Sequence, residues 1–369
     1  MNVVWFSWKD ISHPESGGAE TVSHEIMLRM VRDGHSVTLI TSGYKGSGDK
    51  RTHKGIETFY TGGRYSVYIK ASLLYRKKLR KKVDLVVDEM NTLPFFAALY
   101  TKAPKKVLLA YQLAREVWFY QMIFPLSIIG YIFEPIMLRV IGKAYNLAIT
   151  ESLSSKKDME RHGIANVNVF RVGMAMDPVS ELSKKRHKNI ILSLGSVRPM
   201  KRTLEAVKAF EAAHTAQPEL RLVIAGDISS NYAKKVLEYI ARSSHKNSIT
   251  VAGRVSTDKR LELMREAGVI IVTSVKEGWG LIVTEANSQG TPAIAYDVDG
   301  LRDSVKDLTT GLITPNNQPE LMGKAILNLL NSNDYETIRL NAWKSSFQYT
   351  FDNSYADFIK VIDSKTTAK

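Results

Sequence analysis

The sequence predicts an α/β protein of two Rossmann-like, doubly wound parallel-sheet domains that face each other across a cleft. Short apolar runs alternate with amphipathic helical stretches, as in buried parallel strands joined by crossover helices. This pattern occurs twice, on either side of a polar, basic segment from Pro178 to Lys188 that is typical of a linker. With 369 residues, the chain also exceeds the usual size of one hydrophobic core.

The apolar runs predict ten strands, five in each domain. An N-terminal domain of residues 1–180 holds runs at 3–6, 36–41, 84–87, 106–110 and 146–150. A C-terminal domain of residues 189–345 holds runs at 189–194, 220–225, 248–251, 269–273 and 292–295. Apolar residues at helical intervals predict a last helix within residues 346–369. Because ligands of open parallel sheets bind beyond the carboxyl ends of the strands, we expect the chemistry in the strand-to-helix loops.

The composition is that of an ordinary globular enzyme, with 44% apolar and 24% charged residues. The chain has no cysteine, which excludes disulfides, thiolate metal sites and a cysteine nucleophile. Residues 1–10 lack the basic start and long apolar stretch of a signal peptide, so we expect a cytoplasmic protein. The net charge of +14 fits nucleic acid, anionic lipid or phosphate-bearing substrates equally well.

Two glutamates, Glu277 and Glu285, flank a glycine turn after the strand at 269–273. Gly278 and Gly280 let the backbone approach a ligand closely, and a helix predicted to start near Leu281 points free N–H groups at that space. A diphosphate or sugar hydroxyls would fit there. Glu285, one turn inside the helix, has the acceptor oxygens to bind a vicinal diol such as ribose. The alternative is a plain strand-to-helix turn with two surface glutamates.

A second candidate site follows the strand that opens the C-terminal domain. There Lys201, with Arg198 second, is our candidate to neutralise the charge of a diphosphate leaving group without a metal. The alternative is a basic helix start on the surface. Asp297 and Asp299 have the Asp-x-Asp form of a metal site, but their late position before a glycine turn argues against metal binding.

The segment around Glu277 and Glu285 resembles family 4 of the retaining glycosyltransferases, whose signature is Glu, seven residues, Glu, with Gly-Phe/Trp-Gly-Leu inside it. The resemblance implies the GT-B fold, hexosyl transfer from a UDP- or GDP-linked sugar with retention, and no metal or other cofactor. It also implies an acceptor-side N-terminal domain, a nucleotide-sugar-binding C-terminal domain, and a last helix that crosses back to the N-terminal one. No nucleic-acid partner is expected.

The same resemblance implies roles for individual residues. Glu277 would contact the donor sugar, and the turn of Gly278, Trp279 and Gly280 would contact its hydroxyls. Backbone amides of Leu281 and Ile282 would hold the diphosphate, Glu285 the ribose, and the backbone of Arg254 and Val255 the base. By residue type alone, Gly226 and Gly253 beside the base are equally well explained as turn glycines.

In the N-terminal domain, Gly17 and Gly18 match the family's Gly-Gly-Ala/Thr-Glu loop and would approach the donor phosphates. Further polar residues follow two strands: Glu89, Asn91, Tyr111 and Gln112 are the acceptor-side candidates. Relatives often carry a histidine at the position of Tyr111, and that histidine contacts the donor sugar. Tyr111 departs from this pattern. A tyrosine at a strand end is also explained by packing.

Two segments of the N-terminal domain predict contact with an anionic membrane surface. Residues 70–82 carry seven basic residues and no acid, and residues 117–133 carry no charge but many large apolar side chains. The second segment is too short to span a bilayer. We therefore expect a peripheral docking surface, which would suit a lipid-linked glycan acceptor. A solvated basic helix and a buried helical hairpin are the alternatives.

Two other functions remain open on the sequence. A sugar-nucleotide 2-epimerase shares the two-domain layout but needs carboxylates and a histidine in the cleft, and the candidate loops contain no histidine. A membrane-associated sugar-nucleotide-binding protein without turnover is the second, and the departure at Tyr111 keeps it open.

Overall fold

The computed structural model describes residues 1–79, 83–184 and 188–364. The chain forms two compact units, one of Met1–Gly173 with Thr350–Lys369 and the other of Met174–Tyr349. Three predicted features fall partly outside the described residues: the end of the basic segment at 80–82, the linker at 185–187, and the end of the last-helix segment at 365–369.

The first unit is built on an eight-stranded sheet in the order β3-β4-β2-β1-β5-β6-β7-β8. All neighbouring strands are parallel except the pair β3 and β4. The strands are β1 (Asn2–Phe6), β2 (Ser36–Thr41), β3 (Lys50–His53), β4 (Ile56–Tyr60), β5 (Leu85–Met90), β6 (Lys105–Ala110), β7 (Leu147–Thr150) and β8 (Val167–Val169). The five predicted strands are confirmed, and β3, β4 and β8 were missed.

The helices of this unit cover the sheet between the strands. They are α1 (Gly18–Arg32), α2 (Val67–Leu74), α3 (Ala97–Tyr100), α4 (Trp118–Gln121), α5 (Leu126–Gly142) and α6 (Leu153–Arg161). The last helix, α14 (Phe351–Ser364), packs on the first unit, where Phe358 stacks on Trp5 with ring centroids 5.7 Å apart. Asp357 accepts hydrogen bonds from the Arg171 guanidinium at 2.7 and 2.9 Å.

The second unit is built on a six-stranded, wholly parallel sheet in the order β11-β10-β9-β12-β13-β14. Its strands are β9 (Ile190–Leu194), β10 (Arg221–Ala225), β11 (Ile249–Gly253), β12 (Val269–Val272), β13 (Ala293–Ala295) and β14 (Gly311–Ile313). Its helices are α7 (Thr203–Ala216), α8 (Asn231–Arg242), α9 (Thr257–Glu266), α10 (Leu281–Ser288), α11 (Leu301–Ser304), α12 (Pro319–Asn331) and α13 (Tyr335–Ser346). All five predicted strands are confirmed, and the short strand β14 was missed.

Both faces of the central strands are buried, which explains their unbroken apolar runs. Ile191, Ile224 and Ile271 pack on one face of the second sheet, and Leu192, Ile270 and Ala293 on the other. None of the helices in the described residues is both long and apolar enough to cross a membrane.

Candidate functional site

The loops after β9 and β12 bring Lys201 and Glu277 together. The Lys201 Nζ donates to Glu277 Oε1 at 2.5 Å, and the Ser274 hydroxyl donates to the same oxygen at 2.6 Å. A hydrogen bond also joins the end of β12 to the loop after β9, since the Thr273 hydroxyl donates to the Lys201 carbonyl at 2.9 Å. No described residue donates to Glu277 Oε2. The arrangement therefore leaves one carboxylate oxygen for a ligand hydroxyl.

The electrostatics of this cluster keep Glu277 ionised. Burial by itself would raise the pKa of Glu277. The charge of Lys201 and the hydrogen bonds from Lys201 and Ser274 outweigh burial, with help from the charge of Arg198, and lower the pKa below its ordinary value. Arg198 itself is exposed. The cluster thus combines two cations with one carboxylate at a strand end.

The glycine turn brings backbone close to Glu277 and opens helix α10. Gly280 caps α10 with φ at +92°, and a Cβ there would lie 2.7 Å from Leu301 Cδ2. A Cβ on Gly300 would lie 2.3 Å from the Glu277 carbonyl oxygen. Trp279 packs on Tyr349 with ring centroids 5.2 Å apart, and its buried Nε1 has no hydrogen-bond partner among the described residues. Leu281 and Ile282 occupy the first helical positions, where N–H groups lack intrahelical partners.

Glu285 lies one turn into α10, as the sequence predicts, and is 6% exposed. Arg260 Nη2 lies 3.6 Å from Glu285 Oε1. Burial raises the pKa of Glu285, and the Arg260 charge opposes this. The sequence analysis missed Arg260, which lies on α9 with no motif to mark it.

The end of β11 places Arg254 and Val255 after Gly253. Arg254 is exposed, and its Nη2 donates to Asp227 Oδ2 at 3.0 Å. This hydrogen bond and those from Ser229 lower the pKa of Asp227 to about 2. The Gly226 N–H donates to the Gly253 carbonyl at 2.7 Å, so the two glycine turns are neighbours.

In the first unit, Gly17 and Gly18 begin helix α1 as predicted, but a carboxylate already occupies part of that helix start. Glu20 Oε2 accepts the Gly17 N–H at 2.7 Å, and Glu20 Oε1 lies 3.4 Å from Lys9 Nζ. Glu20 thus satisfies one of the four free N–H groups of the helix. A phosphate at this loop would meet the remaining amides together with Lys9.

Unpartnered polar atoms collect at the carboxyl ends of the first unit's strands. Asn91 Nδ2 and Gln112 Oε1, after β5 and β6, are buried without a hydrogen-bond partner among the described residues. So are the hydroxyls of Thr41 and Thr150, the last residues of β2 and β7. Buried polar groups are normally paired, so such a set at one sheet edge indicates a ligand or ordered water there. The two threonines were missed because a threonine at a strand end has no sequence signature.

Two other acceptor-side candidates point into the unit instead. Glu89 is fully buried, and Tyr111 is 6% exposed. Ser23 Oγ lies 2.7 Å from Glu89 Oε2 and 2.6 Å from the Tyr111 hydroxyl, which donates to the Ala19 carbonyl at 3.0 Å. These three contacts need three protons, and the two hydroxyls supply only two. A proton on Glu89 would supply the third, and substrate roles for both residues stay predictions.

The pKa of Glu89 agrees with this count. Burial raises it to about 8, with a further contribution from the charge of Glu20. The folded protein therefore holds a proton that the unfolded chain releases near the ordinary glutamate value of 4.5. The stability contributed by this proton is lost as the pH rises from that value to about 8.

We expect Glu89→Gln to remove this loss, because glutamine imitates the protonated acid. The free energy of unfolding of the variant, minus that of the native chain, should increase with pH by at most about 1.4 kcal/mol per unit. The increase should level off above about pH 8. Chemical denaturation of both proteins over this range measures it. A difference that stays constant with pH would show that Glu89 is ionised in the folded state.

The Asp-x-Asp pair is engaged by a neighbouring arginine. Arg302 Nε donates to Asp297 at 2.6 Å, and Arg302 Nη1 donates to Asp299 at 2.8 Å. A single guanidinium, on the adjacent helix α11, thus contacts both carboxylates.

Comparison with known proteins adds to this geometry. The profile of the family Glycosyl transferases group 1 matches residues 179–344. The chain is 30% identical over 181 residues to a poly(glycerol-phosphate) alpha-glucosyltransferase of Bacillus subtilis (strain 168), which covers 48% of this chain and 26% of that protein. It is 28% identical over 256 residues to a D-inositol 3-phosphate glycosyltransferase of Jonesia denitrificans. This match covers 61% of this chain and 59% of that protein. The chain therefore spans less than two thirds of the length of either relative.

Among solved structures, sucrose-phosphate synthase from Thermosynechococcus elongatus matches with a TM-score of 0.81 at 16% identity, covering 100% of both chains. The chain has the GT-B glycosyltransferase fold. Anabaena HepE, solved in complex with UDP and glucose, also matches, with a TM-score of 0.74 and 18% identity. This match covers 99% of this chain and 100% of HepE. These findings confirm the predicted fold class and the resemblance to glycosyltransferases.

Proposed function

We propose that this chain is a retaining hexosyltransferase that uses a nucleotide-diphosphate sugar and a glycan or lipid-linked acceptor at the cytoplasmic face of a membrane. The observation that carries the proposal is the cluster of Lys201, Ser274 and Glu277 beside the first turn of α10. It combines cations, free backbone amides and an open carboxylate oxygen at one sheet edge, where a sugar diphosphate needs all three.

In this proposal the donor lies along the carboxyl edge of the second sheet. Glu277 Oε2 accepts a hydroxyl of the donor sugar, and the amides of Leu281 and Ile282 hold the diphosphate. Glu285 binds the ribose, and the backbone of Arg254 and Val255 contacts the base. In the first unit, the amides of Gly17 and Gly18 at the start of α1 are a further candidate site for phosphate.

The transfer we propose keeps the anomeric configuration. The acceptor oxygen bonds to the anomeric carbon on the face from which the leaving diphosphate departs. The bond between that carbon and the phosphate oxygen breaks, and its electron pair goes to the diphosphate, which takes the acceptor proton. Lys201, with Arg198 as the second cation, neutralises the growing negative charge, so no metal is needed for that task.

The acceptor side is proposed in the first unit. The unpartnered Asn91 Nδ2 and Gln112 Oε1 offer a donor and an acceptor for glycan hydroxyls. The basic run at 70–82 and the uncharged run at 117–133 support a membrane position, which suits a lipid-linked glycan. We also propose that nucleic acid is not a partner.

Donor binding is the first test. UDP- and GDP-sugars should raise the unfolding temperature, since a ligand at 100 times its Kd stabilises the fold by about 2.7 kcal/mol. UDP-glucose is the first choice because HepE was solved with UDP and glucose. Glu285→Gln should lose most of this rise in unfolding temperature. Glu336→Gln, at an exposed glutamate of α13 that pairs with Arg339, should keep it.

Transfer and its stereochemistry are the second test. The bound donor and a panel of glycan acceptors should give a product whose anomeric configuration, read by NMR, equals that of the donor. A product of opposite configuration would refute retention. Donor binding without transfer or hydrolysis would favour the non-catalytic binding protein, and conversion of the free donor to its 2-epimer would favour the epimerase.

A further inference from the structure

Helices α2, α3 and α5 lie side by side on one face of the first sheet. The register shows this, because Val4 pairs with Val86, Asp88 with Leu108, and Leu108 with Ala148, so these residues share a face. One apolar cluster joins that face to α2 through Val67 and Ala71, and a neighbouring one joins it to α5 through Leu138 and Ile141. Residues of α3 belong to both clusters. The outer sides of the three helices therefore form one continuous surface, which we call the α2–α5 surface.

The outer side of α5 is more apolar than its buried side. Ser127, Glu134 and Gly142 are among the few buried residues of this helix. In contrast, seven large apolar side chains of α5 are exposed, together with four in α4 and the turn before α5, eleven in all. Ile123 and Phe124, in the turn between α4 and α5, are 78% and 77% exposed. Helices of water-soluble proteins have the opposite arrangement, so the outer side of α5 requires an apolar partner.

Among the described residues, every exposed charge on helices α2, α3 and α5 is positive, and the exposed acid Glu116 lies outside them, before α4. The stretches 64–79, 91–104 and 118–143 contain eight basic residues, all exposed, and a single acid, Glu134. Ile69 and Leu73 on α2 and Leu99 on α3 are exposed among these cations. A second copy of the chain would bring like charges together, whereas an anionic bilayer offers both acyl chains and negative headgroups.

We propose that the α2–α5 surface docks on an anionic phospholipid bilayer, with the turn at Ile123 and Phe124 inserted among the acyl chains. Lys70, Lys77 and Lys78 lie at the headgroups. The eleven exposed apolar side chains supply the insertion, and the cations select an anionic leaflet.

A buried carboxylate ties this surface to the acceptor-side loop. Glu134 on α5 accepts the backbone N–H groups of Ala114 and Arg115 at 2.8 and 2.7 Å and the Trp118 Nε1 at 3.0 Å. Ala114 lies two residues after Gln112, so the loop that follows β6 is held by the helix that enters the lipid. A lipid-linked acceptor would therefore meet this loop at the bilayer surface, a consequence that rests on the proposed glycosyl transfer.

Vesicle binding tests the docking without any need for activity. The full chain should sediment with vesicles of equal parts phosphatidylcholine and phosphatidylglycerol, and more weakly with phosphatidylcholine alone or at high salt. Ile123→Ser/Phe124→Ser should weaken binding at least about thirtyfold. Lys77→Gln/Lys78→Gln should weaken binding to the anionic vesicles about fivefold for each charge removed. The control Leu308→Ser removes a 73% exposed leucine of the second unit and should bind like the native chain.

Two outcomes would overturn the proposal. One is that the native chain fails to bind the anionic vesicles, or that the Ile123→Ser/Phe124→Ser variant binds them as tightly as the native chain. The other is a stable dimer in solution that this change dissociates, which would assign the surface to a second copy. Circular dichroism of the variants checks that they are folded, and the lysine variant remains informative if the apolar one is not.

Activity separates this proposal from the proposed function. Ile123→Ser/Phe124→Ser should raise KM for a lipid-linked acceptor in vesicles at least tenfold and leave transfer to a water-soluble glycan unchanged. Vesicle binding without any transfer would refute the transfer alone. Equal losses on both acceptors would refute a docking role for the turn.

Discussion

Lys201→Met is expected to lower the transfer rate, kcat, by about 10²–10³-fold with little change in donor affinity. The reason is that the Lys201 ammonium neutralises charge that grows on the diphosphate only as the bond to the sugar breaks, so its loss raises the barrier more than it weakens binding. Steady-state kinetics with the donor found by thermal shift, at saturating acceptor, measure the effect.

The same change should alter the pH profile. Lys201 is the largest influence that lowers the pKa of Glu277 against burial, so its removal should move that pKa upward. The acid limb of the rate profile of the variant should therefore lie at higher pH than that of the native chain. Lys276→Met, at a neighbouring buried lysine that lies 3.7 Å from Asp299, is the matched control. If both methionine variants lose the same activity, Lys201 has no special part in the chemistry.

Gly226→Ala should strongly destabilise the second unit. Gly226 has φ at +150°, and a Cβ there would lie 2.0 Å from the Gly195 carbonyl oxygen and 2.4 Å from its carbon. Backbone must move to relieve this contact, which joins the ends of β9 and β10. We expect a loss of at least about 3 kcal/mol, seen as a fall of about 10 °C in Tm.

Gly253→Ala is the matched control for that experiment. Gly253 also has positive φ, at +65°, but the nearest atom to its Cβ would be Ile228 Cδ1 at 4.0 Å. Only the conformational cost of about 1 kcal/mol should remain. Similar losses for the two variants would mean that the contact with Gly195 relaxes easily and that backbone conformation alone sets the cost.

The central strands of both sheets were predictable because both of their faces are buried, which gives unbroken apolar runs. Strand β3, with the sequence Lys-Arg-Thr-His, is exposed along its whole length and therefore carries no such signal. Strands β8 and β14 have three residues each, and only the first of the three is buried, so neither forms a buried apolar run. Strand β13 is equally short but is buried throughout, and it was predicted. Segment β8 becomes a strand because it pairs with β7, and β14 because it pairs with β13.

The candidate donor residues were predictable for a different reason. Glu277, Gly280 and Glu285 are close in sequence, so their spacing on a turn and one helix is a local property. Ser274 belongs to the same loop, but its hydrogen bond to Glu277 depends on side-chain direction and was not predicted. Arg260 reaches Glu285 from another helix.

By itself, the sequence determined the alternation of strands and helices, the glycine turn with its two glutamates, and the basic and apolar runs of the first unit. These are patterns among near neighbours, set by periodicity and residue type. Only the tertiary structure decided that Lys201 contacts Glu277, that Glu89 and Tyr111 point inward, and that α2, α3 and α5 share one face. Those features depend on the strand order of each sheet, because the order decides which distant loops and helices become neighbours.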